Sequence, residues 1–309
     1  MDHIKMRYAN ILKIFIPIIA GGAVLVMIMG SDPNVNTEPE EVNYPVKYRS
    51  VAIPDSLTFA GEPVPVSRFD IREALDRELL VNSYFHSQTL RLIKLVPRYF
   101  CVIEPVLKAK GIPDDFKYLA VAESGLNPRA VSPAGAVGLW QFMRSTGKEY
   151  GLEINSEVDE RYHIHKSTNA ACDFLLSAYK KFGSWSMTAA SYNAGMAGVV
   201  RQMERQKSSS YYDILFNQET SRYLFRILAL KLILEEPESY NFVVKEEEKY
   251  PVVTTREVII DSKIDNFADF ALEQGINYKL LKEFNPWLRD NFLSNNQKKS
   301  YHIEIPLID

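Results

Sequence analysis

The chain has 309 residues, 46% of them hydrophobic, which is enough for one sizeable helical domain and a smaller one and excludes a disordered chain. A formal net charge of -3 and the lack of any Lys/Arg-rich run leave no surface for polyphosphate, so nucleic acid is excluded as a partner. Two cysteines, Cys101 and Cys172, both inside helical patterns, argue against a disulfide scaffold while leaving a single bridge open.

Residues 1–30 differ from everything after them. Lys5, Arg7 and Lys13 precede an uncharged apolar run, IFIPIIAGGAVLVMIM, which reads as a targeting or anchoring segment rather than as fold. With Ile11 and Leu12 added and Lys13 snorkelling, the run approaches the roughly 17 to 20 residues that span a bilayer. Met29-Gly30-Ser31 is a poor cleavage site, so a retained membrane anchor is expected, with export after signal cleavage as the alternative. Basic residues before the run and Asp32, Glu38, Glu40 and Glu41 after it place the bulk of the chain outside the cytoplasm. No cysteine follows the run to carry a lipid.

Residues 31–66 are polar, punctuated by Pro33, Pro39, Pro45, Pro54, Pro63 and Pro65, and read as a tether. From Ser67 the pattern turns helical, with Ile71, Ala74, Leu75 and Leu79 on one face. A second helix is predicted from Gln88 to Lys110, broken near Pro97 and ended by Gly111. Pro113-Asp114-Asp115 then starts an acid-capped helix, FKYLAVAE. Further helices are predicted over 167–182, entered through Ser167 or Thr168 and closed by Gly183, over 186–192, and over 219–234. No run before residue 240 reads as a strand, so residues 67–244 form an all-α domain. Beyond the charged run at 245–249, REVII, the segments 266–273 and 278–284, and YHIEIPL predict a small β-α-α-β module over 250–309.

The chemistry centres on VAESGLNP. The helix FKYLAVAE is apolar on nearly every side, and Glu123 closes it on the face shared by Phe116, Leu119 and Ala120. Gly125 and Asn127-Pro128 then break the helix. A carboxyl in that setting is desolvated, which favours the protonated form a general acid needs. The bland reading is a structural glutamate paired with an arginine or an amide. In SPAGAVGLWQF (132–142), small residues allow close backbone approach, Trp140 and Phe142 offer faces for sugar C–H groups, and Gln141 supplies donor and acceptor. SYNAG at 191–195 puts a phenol and an amide, Tyr192 and Asn193, at a helix end. Each stretch is also explained by ordinary packing. Asp159 and Glu160 could add a second carboxyl, but beside Arg161 a local ion pair is expected. His163 and His165 lack a third ligand nearby, so neither metal nor cofactor is expected.

Taken in order, E-S-G-x-N-P, S-x-x-G-A-x-G-L-W-Q-F, T-G-x-x-Y-G-L, D-E-R, Y-N-A-G and E-T-x-x-Y resemble the lytic transglycosylase family of lysozyme-like fold, in its membrane-bound murein D type, over about residues 80–235. The resemblance implies a mostly α, lysozyme-like catalytic domain. It also implies non-hydrolytic cleavage of the β-1,4 bond between N-acetylmuramic acid and N-acetylglucosamine in peptidoglycan, leaving 1,6-anhydro ends. Carried onto this chain, Glu123 is the sole catalytic acid/base and Tyr192 and Asn193 line the site. Ser124 and Gln141 help to shape it, and Glu219 with Tyr223 completes the cleft. Ser191 stands where alanine is more usual and Leu224 where valine is, and neither change removes a polar group. Peptidoglycan glycan strands are the implied partner and the periplasm-facing envelope the implied location. A hydrolytic muramidase on the same fold and a non-catalytic peptidoglycan-binding scaffold are the alternatives. The last module resembles a LysM unit, departing at Asp261-Ser262-Lys263-Ile264, where that family has G-D-T-L, and lacking the glycine before the last strand. Glycan binding by this module and a packing or partner role are both open.

Overall fold

The computed structural model describes residues 50–307; the apolar N-terminal run and most of the expected tether lie outside the described residues. The first elements met are β1 (Leu57–Phe59) and β2 (Glu62–Val64), an antiparallel hairpin. Its turn, Ala60-Gly61, has positive φ at both positions (53° and 80°), the geometry that matches the twist of two paired strands. This corrects the sequence reading twice, since residues 57–64 belong neither to a tether nor to a strand-free stretch. Strands of three residues, one holding Pro63, are too short for alternation to register. What holds them is tertiary: Phe59 is fully buried with its ring 5.2 Å from that of Phe116, and the Ala60 amide donates to Asp115 at 2.7 Å.

Helix α1 (Phe69–Tyr84) buries Ile71, Leu75 and Leu79 as its periodicity predicts. α2 (His86–Ala109) is 24 residues long and continues through Pro97, where the sequence predicted a break, and through Pro105. A proline removes one helical hydrogen bond. Leu92, Ile93 and Leu95 before Pro97, and Phe100, Ile103 and Leu107 after it, are buried in one core, so packing on both sides outweighs that loss. A short 3-10 turn, Asp114–Phe116, leads into α3 (Lys117–Ser124). α4 (Arg144–Glu149) was not foreseen, being only six residues long.

α5 (Ile164–Phe182) starts three residues earlier than its expected cap. Ser167 and Thr168 lie inside it, fully buried, with their hydroxyls donating back to the Ile164 carbonyl. α6 (Trp185–Ala194) follows, then α7 (Met196–Gln206), also unforeseen, and α8 (Gln218–Glu235). α8 packs against α1, α3 and α6 and so brings residues from three other helices to one place. The C-terminal module is as predicted: β3 (Thr255–Ile260), α9 (Phe267–Glu273), α10 (Tyr278–Phe284) and β4 (Tyr301–Pro306). β3 and β4 pair antiparallel with Thr255 opposite Pro306 and Ile260 opposite Tyr301. Asn266 and Asn277 cap α9 and α10 by accepting from backbone amides.

The fold is mostly α, with a small two-stranded sheet at the C-terminal end. Both cysteines are free thiols, Cys101 exposed and Cys172 buried. No helix among the described residues is long and apolar enough to cross a membrane.

Candidate active site

The site begins where α3 ends. Tyr118, Leu119, Ala120 and Val121 are buried, so the helix runs through the core and delivers Glu123 at its last turn. Gly125 closes it in the left-handed region (φ 58°, ψ 37°), its amide donating to Val121 at 2.9 Å. Leu126 follows at φ 56°, an uncommon conformation for a branched side chain, held because that side chain is completely buried. A Cβ on Gly125 would come within 2.7 Å of Gln88 Nε2. The backbone therefore turns sharply just past the carboxylate.

Glu123 is partly exposed, yet protein surrounds its carboxyl closely enough for burial to push its pKa from 4.5 up to about 7. Three groups modulate that shift. The Tyr223 hydroxyl donates to Oε1 and lowers it, the Glu219 carboxylate raises it, and the Arg226 guanidinium lowers it. The carboxyl thus holds a proton near neutrality and can release it, as acid/base work requires. Tyr223 is 2% exposed and Tyr192 partly buried; burial, then the neighbouring Glu123, hold both phenols well above their ordinary range, so both remain donors.

Tyr192 reaches the site from α6 and donates to the Trp140 carbonyl at 2.8 Å. Its ring is packed by Phe174 at 5.0 Å, Phe142 at 6.2 Å and Trp140 at 6.5 Å. Here the sequence reading needs correction. Trp140 is fully buried, its indole donating to Thr168 Oγ1 at 2.9 Å, and Phe142 is 3% exposed. Neither ring presents a face to a sugar; both belong to the core, where they support Tyr192 from behind. Their apolar area is better buried there than left in a wet groove.

Between them in sequence, Gln141 is only partly buried and sits at φ 49°. Its Nε2 donates to Gly138 O at 2.7 Å and Ala130 O at 3.3 Å, while its Oε1 accepts nothing from the described residues. Gly138, at φ 83°, packs so closely on residues 161–162 that an added Cβ would stand 2.0 Å from the Arg161 carbonyl oxygen. On the other wall, Asn193 donates to Glu219 at 3.0 Å and accepts from Thr220 Oγ1 at 2.7 Å, which ties α6 to α8. Ser124 turns its hydroxyl back to the Ala120 carbonyl at 3.1 Å. Glu123, Tyr192, Tyr223 and Glu219 therefore meet; Ser124 and Gln141 make no hydrogen bond to Glu123.

The acids of DERYHIH are engaged elsewhere. Asp159 and Arg161 form a buried pair with N–O distances of 2.7 and 2.9 Å, and Glu160 accepts from the Glu153 amide at 2.8 Å and pairs with Lys166. His163 stacks on Trp287 with centroids 5.5 Å apart and is kept neutral by burial, its pKa pushed down to about 3. Two residues went unread in the sequence. Glu78, on α1, is completely buried, accepts from Arg222 at 2.7 Å and lies 3.9 Å from Arg226. Arg226 is the cation whose field reaches Glu123. The only local signal was the i, i+4 spacing of Arg222 and Arg226 on α8, which does not identify a partner on another helix.

Comparison with known proteins bears on this geometry. Residues 100–215 match the model of the transglycosylase SLT domain, and residues 256–308 that of the soluble lytic transglycosylase C-terminal LysM-like domain. The chain carries an SLT transglycosylase domain. It is homologous to the membrane-bound lytic murein transglycosylase D of Escherichia coli (strain K12), at 31% identity over 228 residues, covering 72% of this chain and 49% of that protein. A putative tributyltin chloride resistance protein of Alteromonas sp. (strain M-1) is 28% identical over 125 residues, covering 40% of this chain and 59% of that one. The chain thus spans about half the length of the curated relatives it matches. Among solved structures, the 70 kDa soluble lytic transglycosylase of Escherichia coli superposes with a TM-score of 0.41 at 20% identity, covering 58% of this chain and 33% of that one. Glu123, Ser124, Gln141, Trp140, Phe142, Tyr192 and Asn193 all fall inside the SLT match, whereas Glu219 and Tyr223 lie beyond its end.

Proposed function

We propose that this SLT-domain chain is a peptidoglycan lytic transglycosylase of the cell envelope, with Glu123 as its sole acid/base and glycan strands as its substrate. The observation that carries the proposal is the Glu123 carboxyl, held at the open end of a buried helix, hydrogen-bonded by Tyr223, with a pKa of about 7. The SLT match and the homology to a murein transglycosylase supply the reaction class.

Glycosidases ordinarily use two carboxyl groups, one as acid and one as nucleophile or base. Here Asp159 and Glu160 are spent on ion pairs, and Glu219 is exposed and bound by Asn193. One carboxyl then serves twice. Protonated Glu123 gives its proton to the glycosidic oxygen as the bond from that oxygen to C1 of the N-acetylmuramic acid breaks, and the substrate's own acetamido group stabilises the cation. The carboxylate so formed removes the proton of the muramic 6-hydroxyl, whose oxygen bonds to C1. A 1,6-anhydro end results, Glu123 is again protonated, and no water is consumed. Tyr192, Asn193, Gln141, Glu219 and Tyr223 are proposed to line the substrate. An N-terminal anchor at the membrane is proposed to hold the chain where murein lies.

Mass spectrometry of the soluble digest of purified peptidoglycan tests this. Anhydro ends, absent with Glu123→Gln, are the expected product. Reducing ends alone mean a hydrolytic muramidase, and binding without any cleavage means a scaffold.

A further inference from the structure

The C-terminal module does more than follow the helical domain in sequence. Leu288 pairs with Val158 as a short antiparallel bridge, flanked by hydrogen bonds from the Asp159 amide to Trp287 O at 2.9 Å and from the Arg289 amide to Glu157 O at 2.7 Å. Trp287, 3% exposed, lies between two rings, His163 of the helical domain at 5.5 Å and Tyr301 of its own module at 5.9 Å, nearly parallel to each. The Arg289 guanidinium sits 4.0 Å over the ring of Tyr162. The Glu157 carboxylate accepts from the Ser294 amide at 2.6 Å and hydroxyl at 2.9 Å. Val137, Val158 and Tyr162 share one apolar cluster with module residues such as Phe267, Leu281 and Ile303. Such a junction is a continuous core, not a flexible tether.

The segment seized in this way leads to the substrate loop. Arg161, 6% exposed, is fixed by Asp159 and donates to Phe142 O at 3.1 Å and Gly135 O at 3.3 Å, the two ends of the loop that bears Gln141. Gly138 of that loop rests on the Arg161 carbonyl. Contact is also direct, through Val137 in the shared cluster, and Arg129, ahead of the loop in the chain, donates to Lys282 O at 2.7 Å.

We propose that the LysM-like module is a positioning element of the catalytic cleft: it clamps residues 157–163 and thereby holds the 135–142 loop, with Gln141, in the geometry used for turnover. It rests on the transglycosylase reading for its role in catalysis, though not for its mechanics. The module then matters even for substrates too short to reach it. A tethered glycan-binding arm behaves differently, because it only raises the local concentration of polymer.

The test compares the full-length chain with its Glu157→Ala/Arg289→Ala double variant, which loosens the junction by removing the Ser294 bonds and the guanidinium over Tyr162 and leaves the module core of Phe267, Leu281 and Ile303 intact. Substrates are a soluble tetrasaccharide muropeptide and insoluble peptidoglycan. The expected result is a drop of about tenfold in kcat/KM on both, together with faster amide hydrogen exchange at 135–142 and unchanged exchange in α8. Loss confined to the insoluble polymer overturns the clamp in favour of an arm. Unchanged exchange at 135–142 overturns it whatever the activity, so the clamp is decided even if the parent chain makes no anhydro product. Should the double variant not fold, the milder single variant Arg289→Ala, which removes only the guanidinium over Tyr162, carries the same readouts with the same outcomes decisive.

Discussion

The hydroxyl of Tyr223 donates to Oε1 of Glu123 across a separation of 100 residues. Burial raises the carboxyl's pKa and this bond opposes the rise, so Tyr223 limits how far above the ordinary range Glu123 titrates. In Tyr223→Phe the charged form loses its donor. The basic limb of the pH–rate profile is expected to move up by about one pH unit, and the lost buried bond to cost about 1 kcal/mol of stability. A limb that stays in place shows that the bond does not tune Glu123.

Protonated Glu123 is the proposed acid, so turnover is expected to fall about tenfold per pH unit above pH 7. Stability follows the same titration. The folded-state pKa of about 7 lies above the ordinary 4.5, so the contribution of this group is fully present below about pH 4.5 and is lost as the pH rises through 7. Glu123→Gln does not titrate. Its stability relative to the parent chain is expected to rise by on the order of 2–3 kcal/mol between about pH 4 and pH 8, read from urea unfolding at both. An equal difference at the two pH values contradicts the raised pKa.

Gly138→Ala places a methyl 2.0 Å from a backbone oxygen at a φ of 83°, and backbone cannot rotate away as a side chain does. A loss of about 3 kcal/mol or more is expected from denaturant unfolding, with substrate binding weakened because Gln141 anchors to the Gly138 carbonyl. Gly135, whose added Cβ would meet nothing within 4 Å, provides the comparison. Alanine there, at φ 84°, is expected to cost about 1 kcal/mol, from backbone strain alone.

Glu62, in the hairpin, caps α6 from outside. Its carboxylate accepts from the amides of Trp185 at 2.5 Å and Ser186 at 3.0 Å and from both serine hydroxyls there, at the helix end where an anion is favoured. α6 carries Tyr192 and Asn193. Glu62→Ala is expected to cost about 1–3 kcal/mol and to reduce kcat alongside, since α6 then frays from its far end. Unaltered unfolding in Glu62→Ala would mean that the Ser184 cap suffices by itself.

The site was legible in part. The apolar run before Glu123 and the Gly125 stop stand next to each other in the chain, so periodicity and turn chemistry reach them directly. Trp140 was misread for the converse reason: an aromatic beside glycines looks the same whether it faces a groove or the core, and only the Thr168 hydroxyl waiting on α5 tells the two apart. Glu78, deep in the α1–α8 contact, left no pattern of its own.

By itself the sequence determined most of the long helices, the four elements of the C-terminal module and the placing of one carboxyl at the end of an apolar helix, because each depends on neighbours a few residues away. Tertiary structure alone decided that Tyr223 meets Glu123, that α2 runs on through its prolines, that residues 57–64 form a hairpin, and that Trp287 of the last module stacks on His163 of the helical domain. These outcomes turn on apolar area and hydrogen bonds exchanged between segments far apart in the chain, and such energies exceed local preference without leaving a mark in any single segment.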